Sequence, residues 1–314
     1  MLNRRLIRIK VFKVLYSCIS SGSNSFAEAE KNMHSSCEKT LDLYSFMLNA
    51  AVALKQVADA KIETGMRKFN PTEEERNPNL KCSQNKVSEF LLGNKIFTKY
   101  CEEHSLSWNG DLALFVKKLF ASISEKEYFK EYMEKESRSL EEDCALFTRI
   151  FEEEFEDNED LESFLEDMSI YWIDDLGYVL NTIIRNLELL KKSSRMPMPG
   201  IFMKEDDKEY AFNLLKFSLA NYSKYMDIIQ ENIANWDPER VVTTDLVLIE
   251  EGLAEAIGFP NIPVKVTINE YVEISKYYST HNSKIFVNGL LDRIIQKMIK
   301  SGEIVKSGRG LIEN

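Results

Sequence analysis

Apolar residues recur at helical spacing along most of this chain. The first such stripe predicts a helix over residues 4–20, and its members are Ile7, Val11, Val14, Leu15 and Cys18. The polar stretch after Ser20 ends that helix, and the same periodicity resumes over 26–39 and 41–64. Several shorter helices with polar links are predicted over about 85–190. The pattern therefore indicates a chain built mainly of helices.

The last third of the chain continues this pattern after a break. Residues 193–200, with two prolines, are the best candidate for a linker. Thr267 and Glu270 have the spacing of a capping box, unless the helix begins earlier, and Gly289 inside a helical stretch predicts a close helix crossing. The tail over 301–314 is expected to be flexible. The helices predicted here cover about 205–220, 222–234, 238–257, 263–279 and 283–300.

The composition supports a helical fold. Of 314 residues, 44 % are hydrophobic, which is enough for a substantial core, whereas Gly (12) and Pro (7) are scarce. Few turn-forming residues together with many Leu, Glu, Lys and Phe favour long helices over short strands. We therefore expect an all-α protein, and we exclude an all-β sandwich and a glycine-rich nucleotide-binding fold.

The formal net charge of −11 by itself argues against a nucleic-acid-binding protein. The charge is unevenly distributed, however, because the first 25 residues hold five basic and no acidic side chains, whereas residues 41–200 alone carry −11. Residues 131–175 hold 18 acidic against 3 basic side chains, yet they keep apolar residues at helical spacing. We expect this acidic region to form folded helices with an acidic face and not a disordered tail.

The residue types needed for catalysis, metal binding or membrane insertion are not arranged for these roles. Five scattered cysteines without a CxxC pair are typical of reduced cytoplasmic thiols, and the three histidines add no metal-ligand pattern. The sequence has no GxSxG, HExxH, P-loop or GxGxxG motif, and no apolar run long enough to span a bilayer. We therefore expect a cytoplasmic protein with no catalytic site, metal, cofactor or membrane association.

Basic and aromatic residues follow one flank of the first helix. They are spaced three or four residues apart and comprise Arg5, Arg8, Phe12 and Tyr16. Arginines bind phosphates through paired N–H donors, and aromatic rings stack on unpaired bases. The same spacing also fits a solvated basic face whose aromatic residues enter the core.

The start of the last predicted helix offers a second candidate site. Asn282 or Ser283 is expected to cap this helix, which leaves backbone N–H groups free near Lys284 and Phe286. Such N–H groups suit an anion, although the same residues are also ordinary features of helix packing.

Three segments carry longer motifs. Near the start stands RRLIRIKVFKVLYS (Arg4–Ser17), and near the end stand IPVKVTINEYVEISKYYS (Ile262–Ser279) and NSKIFVNGLLDRI (Asn282–Ile294). The first resembles the arginine-rich first helix of the NusB family of bacterial transcription antitermination factors. The other two resemble that family's P-x-K-V-x-I-N-E-x-x-E-[IL]-[AS]-K and K-x-F-V-N-G-[VIL]-L-D signatures.

This resemblance covers about residues 1–40 and 203–300. It implies an all-α fold of two small helical bundles of the NusB type with a large, acidic, helical insertion. The domains expected on this basis are NusB-like N-terminal helices (1–40), the insertion (41–200), NusB-like C-terminal helices (201–300) and a flexible tail (301–314).

The resemblance implies an RNA-binding protein without catalysis. Members of the family bind the boxA element of ribosomal RNA leader transcripts together with NusE, the ribosomal small-subunit protein, and join the elongating RNA polymerase. By position, Tyr16 matches a tyrosine on the side that faces NusE. The RNA contacts implied by position form two groups, namely Arg4, Arg5 and Arg8, and Asn282, Ser283 and Phe286.

Two further hypotheses stay open. The chain would be the RNA-binding module of a ribosomal-RNA methyltransferase system, although residues 41–200 lack the glycine-rich turn that such an enzyme needs. Alternatively, the acidic insertion would make it a protein-interaction scaffold that docks a basic partner or covers the RNA site until NusE arrives.

Family members often carry an acid where this chain has Asn282, whose neutral side chain does not repel a phosphate.

Overall fold

The computed structural model describes residues 1–22, 25–233 and 241–311, and over these residues the fold is all-α, as predicted. The one β-bridge within them is an isolated parallel pairing of Leu2 with Phe202. In the same part of the chain, no helix has the length and apolar character needed to cross a bilayer. The helices are α1 (Arg4–Ser21), α2 (Phe26–Met66), α3 (Glu73–Arg76), α4 (Lys86–Gly93), α5 (Lys95–Glu103), α6 (Leu112–Glu125), α7 (Glu127–Glu134), α8 (Leu140–Glu153), α9 (Glu159–Met168), α10 (Leu176–Ser193), α11 (Glu205–Ile233), α12 (Thr243–Gly258), α13 (Val264–Tyr278) and α14 (Ser283–Ser301).

The chain divides into two compact units. The central unit comprises Met1 and residues 38–201, and the terminal unit comprises residues 2–37 and 202–314. The chain passes from one unit to the other at residues 37–38 and 201–202, and the bounds of 41–200 for the insertion stay a prediction. The terminal unit holds α1 and α11 to α14, and it is the unit that carries the predicted RNA-binding residues.

One predicted helix break is wrong. The helix α11 is continuous where the sequence predicts an interruption at residue 221. Its buried stripe continues through Ser218 and Tyr225, so that one apolar face runs through both halves. Parts of two predicted helices, at residues 234 and 238–240, lie outside the described residues.

The central unit folds around an aromatic core. Phe46 of α2 stacks on Trp108 and Trp172, with ring centroids 4.4 and 5.4 Å apart. Both indole N–H groups donate to backbone carbonyls of α2, Trp108 to Phe46 at 2.8 Å and Trp172 to Lys39 at 2.9 Å. Most carboxylates of α8 and α9 are exposed, whereas most of the large apolar residues of these helices are buried or half-buried. The prediction of folded helices with an acidic face is therefore confirmed.

In the terminal unit, α12 is the central helix and contacts α1, α11, α13 and α14. Gly252 allows a close approach, since a β-carbon there would lie 2.9 Å from the Leu291 side chain of α14. The close crossing predicted at Gly289 is wrong, because nothing in the described chain beyond its own helix lies within 4 Å of a β-carbon built there. The tight contact between α12 and α14 thus forms at Gly252 of α12 and not at Gly289 of α14.

The segment after α14 packs against the turn between α12 and α13. Ile304 is buried, and Gly308–Leu311 form a 3-10 turn. The Lys306 ammonium donates to the Ala256 carbonyl at 2.7 Å. The sequence predicts a flexible tail over 301–314; the structure places the described part of that tail, up to residue 311, against the helices.

A polar cluster lies inside the terminal unit where α1 meets α12. Arg8 and Glu255 form a bidentate ion pair at 2.6 and 3.1 Å, and their side chains are 3 % and 0 % exposed. Thr267 donates to the same carboxylate at 2.6 Å, and the Tyr210 hydroxyl donates to it as well. Burial alone would lower the pKa of Arg8, but Glu255 outweighs this effect and raises it. Arg8 therefore stays charged inside the protein.

Two further glutamates of α12 are buried without hydrogen bonds. Glu250 and Glu251 are 0 % exposed, and none of their carboxylate oxygens has a hydrogen-bond partner among the described residues. Desolvation raises the pKa of Glu250 to about 8 and the pKa of Glu251 well above its ordinary value. Glu250 is therefore held mainly as a neutral acid in the folded protein at neutral pH, and burial shifts the pKa of Glu251 in the same direction.

Replacing Arg8 with Met should destabilise the terminal unit, because Glu255 would stay buried without its cation. Removing one partner of a buried ion pair costs about 3–5 kcal/mol. The matched control is Lys276→Met, which removes the cation of an exposed pair with Glu273 on α13 and should cost about 1 kcal/mol or less. Hydrogen exchange of the α12 amides measures both effects. Equal loss of protection in the two variants would contradict the role given to the buried pair.

Replacing Glu250 with Gln should remove a pH dependence of stability. The folded state keeps the Glu250 proton up to a pKa of about 8, whereas the unfolded chain releases it near the ordinary value of 4.5. Stability is therefore lost as the pH rises through this window, and the advantage of Glu250→Gln should grow from pH 5 to 8. Thermal unfolding at a series of pH values measures the difference, with exposed Glu273→Gln as control. If the difference in stability between Glu250→Gln and the unsubstituted chain did not vary with pH, the raised pKa of Glu250 would be refuted.

Candidate nucleic-acid interface

The N-terminal end of α1 borders an open cleft of the terminal unit. The cleft has a volume of about 660 Å³ and is also bordered by the first turns of α13 and by the segment after α14. Its charged lining comprises Arg4, Arg5, Arg8, Lys265, Glu270 and Arg309. Five cations and one carboxylate in one concave surface favour an anionic ligand.

Arg4 and Arg5 reach the cleft, but each is ion-paired. Arg5 forms a bidentate pair with Glu270 of α13, with distances of 2.9 Å from Nε and 2.7 Å from Nη2. Arg4 lies 3.2 Å from each of Asp206 and Asp207 in the first turn of α11. The hydrogen bond from Arg5 lowers the pKa of Glu270, so this carboxylate is charged at neutral pH. Because the two arginine side chains stay 40 % and 52 % exposed, their other N–H donors are accessible to a ligand.

The Arg8 side chain is buried inside the terminal unit. It belongs to the buried cluster with Glu255, and its Nη1 lies 3.5 Å from Glu270 Oε2. Glu270 is thus shared between Arg8 and Arg5. The structure shows Arg8 anchoring α1 to α12 and α13, and an RNA contact by this residue stays a prediction.

A row of aromatic side chains connects α1 with α13. Phe12 packs against Tyr278 with 5.6 Å between ring centroids, and Tyr16 lies 6.2 Å from Phe12. The Lys13 ammonium lies 5.5 Å from the centre of the Tyr278 ring. Phe12 is buried, whereas Tyr16 is 38 % exposed. The structure therefore combines both interpretations of the spacing, since one aromatic residue enters the core and another stays accessible.

The contacts show that α1 and α13 run side by side in the same direction. Arg5 pairs with Glu270, and Phe12, seven residues later, packs against Tyr278, eight residues further along α13. At 1.5 Å per residue these two contacts are about 12 Å apart along the helix. Tyr278 is the last residue of α13. The cleft and the turn before α14 therefore lie at the two ends of one strip of the terminal unit.

A buried carboxylate organises the start of α14. Ser283 is buried and donates to Asp245 at 2.8 Å, and Ser279 donates to the same side chain at 2.6 Å. Desolvation raises the pKa of Asp245, although both hydroxyls counteract the shift. Asn282 is the exposed N-cap residue and makes no side-chain capping bond, and Phe286 is half-buried one turn later. Asn282 and Phe286 therefore reach the surface, whereas Ser283 does not.

Sequence analysis missed two cations of the cleft. Lys265 and Arg309 are both exposed, and no carboxylate in the described part of the chain pairs with either of them. Lys265 lies within the segment Ile262–Ser279, and nothing in that sequence shows that its side chain is exposed. Arg309 lies in the tail predicted to be flexible. The capping box predicted from Thr267 and Glu270 is wrong, because α13 already begins at Val264 and both side chains bond to other helices.

Metal-binding and thiol chemistry have no site among the described residues. No three His, Cys, Asp or Glu side chains come together there in a way that could hold a metal ion. All five cysteines lie among the described residues, where each is buried and none forms a disulfide. Burial raises the pKa of the Cys82, Cys101 and Cys144 thiols to about 12, which leaves these three thiols unreactive at neutral pH.

Comparison with known proteins points to one family. The NusB family model matches residues 189–296. Three curated relatives are each described as transcription antitermination protein NusB. The relative from Salinibacter ruber is 34 % identical over 105 residues, which are 33 % of this chain and 66 % of the relative. The relative from Chloroherpeton thalassium is 35 % identical over 106 residues, which are 34 % of this chain and 50 % of the relative. The relative from Syntrophotalea carbinolica is 40 % identical over 90 residues, which are 29 % of this chain and 58 % of the relative.

The match concerns the terminal unit. The chain spans between half and about two thirds of the length of these relatives. No solved structure matches the chain. Residues 189–296 include α12 and α13, and therefore Glu255 and Glu270, which hold the arginines of α1. Residues 189–296 of this chain therefore form a domain of the NusB family.

Proposed function

We propose that this chain is an RNA-binding transcription antitermination factor without catalytic activity. It binds boxA-type single-stranded RNA together with NusE and associates with the elongating RNA polymerase. The relatives of its NusB domain are transcription antitermination proteins, which supports this proposal. The observation that carries it is the cleft at the start of α1, where five cations and one carboxylate form one wall.

Arg4 and Arg5 bind RNA phosphates at this cleft. A guanidinium has five N–H donors, and the pair with Glu270 occupies two groups of Arg5 and fixes its orientation. The N–H groups that remain on Arg5 can bind a phosphate with little further loss of side-chain entropy. Arg8 acts as a positioning residue, because its pair with Glu255 holds α1 in place.

RNA affinity of the chain alone is modest. Asp206, Asp207 and Glu270 neutralise much of the charge of Arg4 and Arg5. Few counterions are therefore released when RNA binds, and the affinity gained from phosphates is small. NusE adds contacts from a second protein surface, so that RNA and NusE bind cooperatively.

Base and partner contacts come from the other end of the strip. Phe286 and Asn282 lie at the start of α14, where the half-buried ring suits stacking on a base and the exposed amide can donate a hydrogen bond to RNA. The exposed ring of Tyr16 offers an apolar anchor with a polar tip, which suits a contact with NusE.

Fluorescence-anisotropy titration of a boxA RNA onto the chain, with and without purified NusE, tests the proposal. NusE should tighten RNA binding by about tenfold or more through the joint surface. Raising the salt concentration should weaken binding with a log–log slope of about −2 to −3.5, as expected for three to five phosphate contacts. A scrambled RNA of equal length is the control. Equal boxA affinity in the presence and absence of NusE would refute the proposed mechanism.

Replacing Asn282 with Asp should weaken RNA binding, because the new charge at the start of α14 repels a phosphate. The loss should be a few-fold at about 0.1 M salt and should shrink as salt screens the charge. An Asp at this N-cap also stabilises the helix, so thermal stability should rise slightly while RNA affinity falls. Asn288→Asp adds the same charge at another exposed position of α14 and serves as control. Unchanged or tighter RNA binding by Asn282→Asp would contradict the placement of RNA at this edge.

A further inference from the structure

The segment that follows α14 is docked on the turn between α12 and α13. Lys306 Nζ donates to the carbonyls of Ala256 at 2.7 Å and of Phe259 at 3.2 Å. The Ser307 N–H donates to the Pro260 carbonyl at 3.1 Å. Together with the burial of Ile304, these bonds hold the segment in one place. Its position therefore does not depend on a ligand.

Two glycines allow this close docking. Gly310 is buried, and a β-carbon at this position would collide with the carbonyl oxygen of Pro260. Gly308 has a φ of +54°, in the left-handed region that favours glycine. The residue between them, Arg309, is thereby carried to the wall of the cleft.

Arg309 and Lys265 differ from the arginines of α1 in their charge environment. Each arginine of the cleft on α1 is paired with at least one carboxylate, as Arg5 is with Glu270. Arg309 and Lys265 are exposed, and no ion pair with a described residue neutralises either. These two residues therefore supply the uncompensated positive charge of the cleft.

We propose that Arg309 and Lys265 bind phosphates of single-stranded RNA, and that the docked segment 302–311 is an arm of the RNA site. This inference rests on the proposed RNA-binding function and extends it beyond the family domain, which ends at residue 296. The Arg309 guanidinium matches a phosphate bidentately, and Lys265 adds a point charge on the same wall. Neither side chain has to break an ion pair with a carboxylate before it binds a phosphate. Each phosphate contact therefore releases its full share of the counterions bound to the RNA.

The test is an anisotropy titration of boxA RNA onto the full chain, with NusE present, between 50 and 300 mM salt. Arg309→Gln should weaken binding about three- to tenfold at the lowest salt and should reduce the log–log salt slope by about 0.7, the value for one phosphate contact on a single strand. Lys265→Gln should act in the same way. The matched control is Lys297→Gln, an exposed cation of α14 away from the cleft, which should change neither affinity nor slope.

A second variant tests the docking of the segment while the charge is kept. Gly310→Ala leaves Arg309 in the chain, but the added methyl group collides with Pro260 and displaces the segment. It should lower RNA affinity about as much as Arg309→Gln, with helix content by circular dichroism unchanged. Gly177→Ala adds the same methyl group to a helix of the central unit with open space around it and should have no effect.

The outcomes separate this inference from the function on which it rests. If the unsubstituted chain binds boxA RNA with NusE and Arg309→Gln binds equally well, the inference is overturned and the proposed function stands. If Arg309→Gln weakens binding but Gly310→Ala does not, the docked arm is overturned. If the unsubstituted chain binds no RNA even with NusE, the proposed function and the inference fall together.

Discussion

The buried ion pair between Arg8 and Glu255 is the constraint on which the geometry of the RNA-facing surface depends. Two charges at 3 % and 0 % exposure are tolerated only because the pairing is bidentate and Thr267 and Tyr210 satisfy the carboxylate. The pair ties the second turn of α1 to the last turn of α12. Since Arg4 and Arg5 precede Arg8 on the same helix, this one contact places both at the mouth of the cleft.

The helices of this chain could be predicted from the sequence, and most of the charge partners could not. Periodicity alone locates α1 and the helices of the family domain, and it fails at residue 221 because the apolar stripe of α11 continues there. The partner of Arg4 is Asp207, 203 residues further along the chain. A local sequence pattern does not reveal a pairing between residues so far apart along the chain. From the sequence alone, Arg4, Arg5 and Arg8 are therefore equally available for RNA. The structure separates them into two surface residues and one anchor.

Charge counted along the sequence and charge available at a surface are different quantities in this protein. The net charge of −11 lies largely in residues 41–200, which fold around the aromatic core of Phe46, Trp108 and Trp172 with most of their carboxylates exposed. The surface of α1 also carries less positive charge than its sequence indicates, because carboxylates of α11, α12 and α13 pair with its arginines. What stays uncompensated in the cleft is Lys265 and Arg309, and neither belongs to α1.

Photo-crosslinking of a 4-thiouridine-labelled boxA RNA to the chain–NusE complex, with peptide mapping by mass spectrometry, tests most directly where the RNA lies. Crosslinked peptides are expected from the start of α1, from residues 262–270 and from residues 303–311, which together form the walls of the cleft. Crosslinks confined to residues 38–201, the bulk of the central unit, would contradict it.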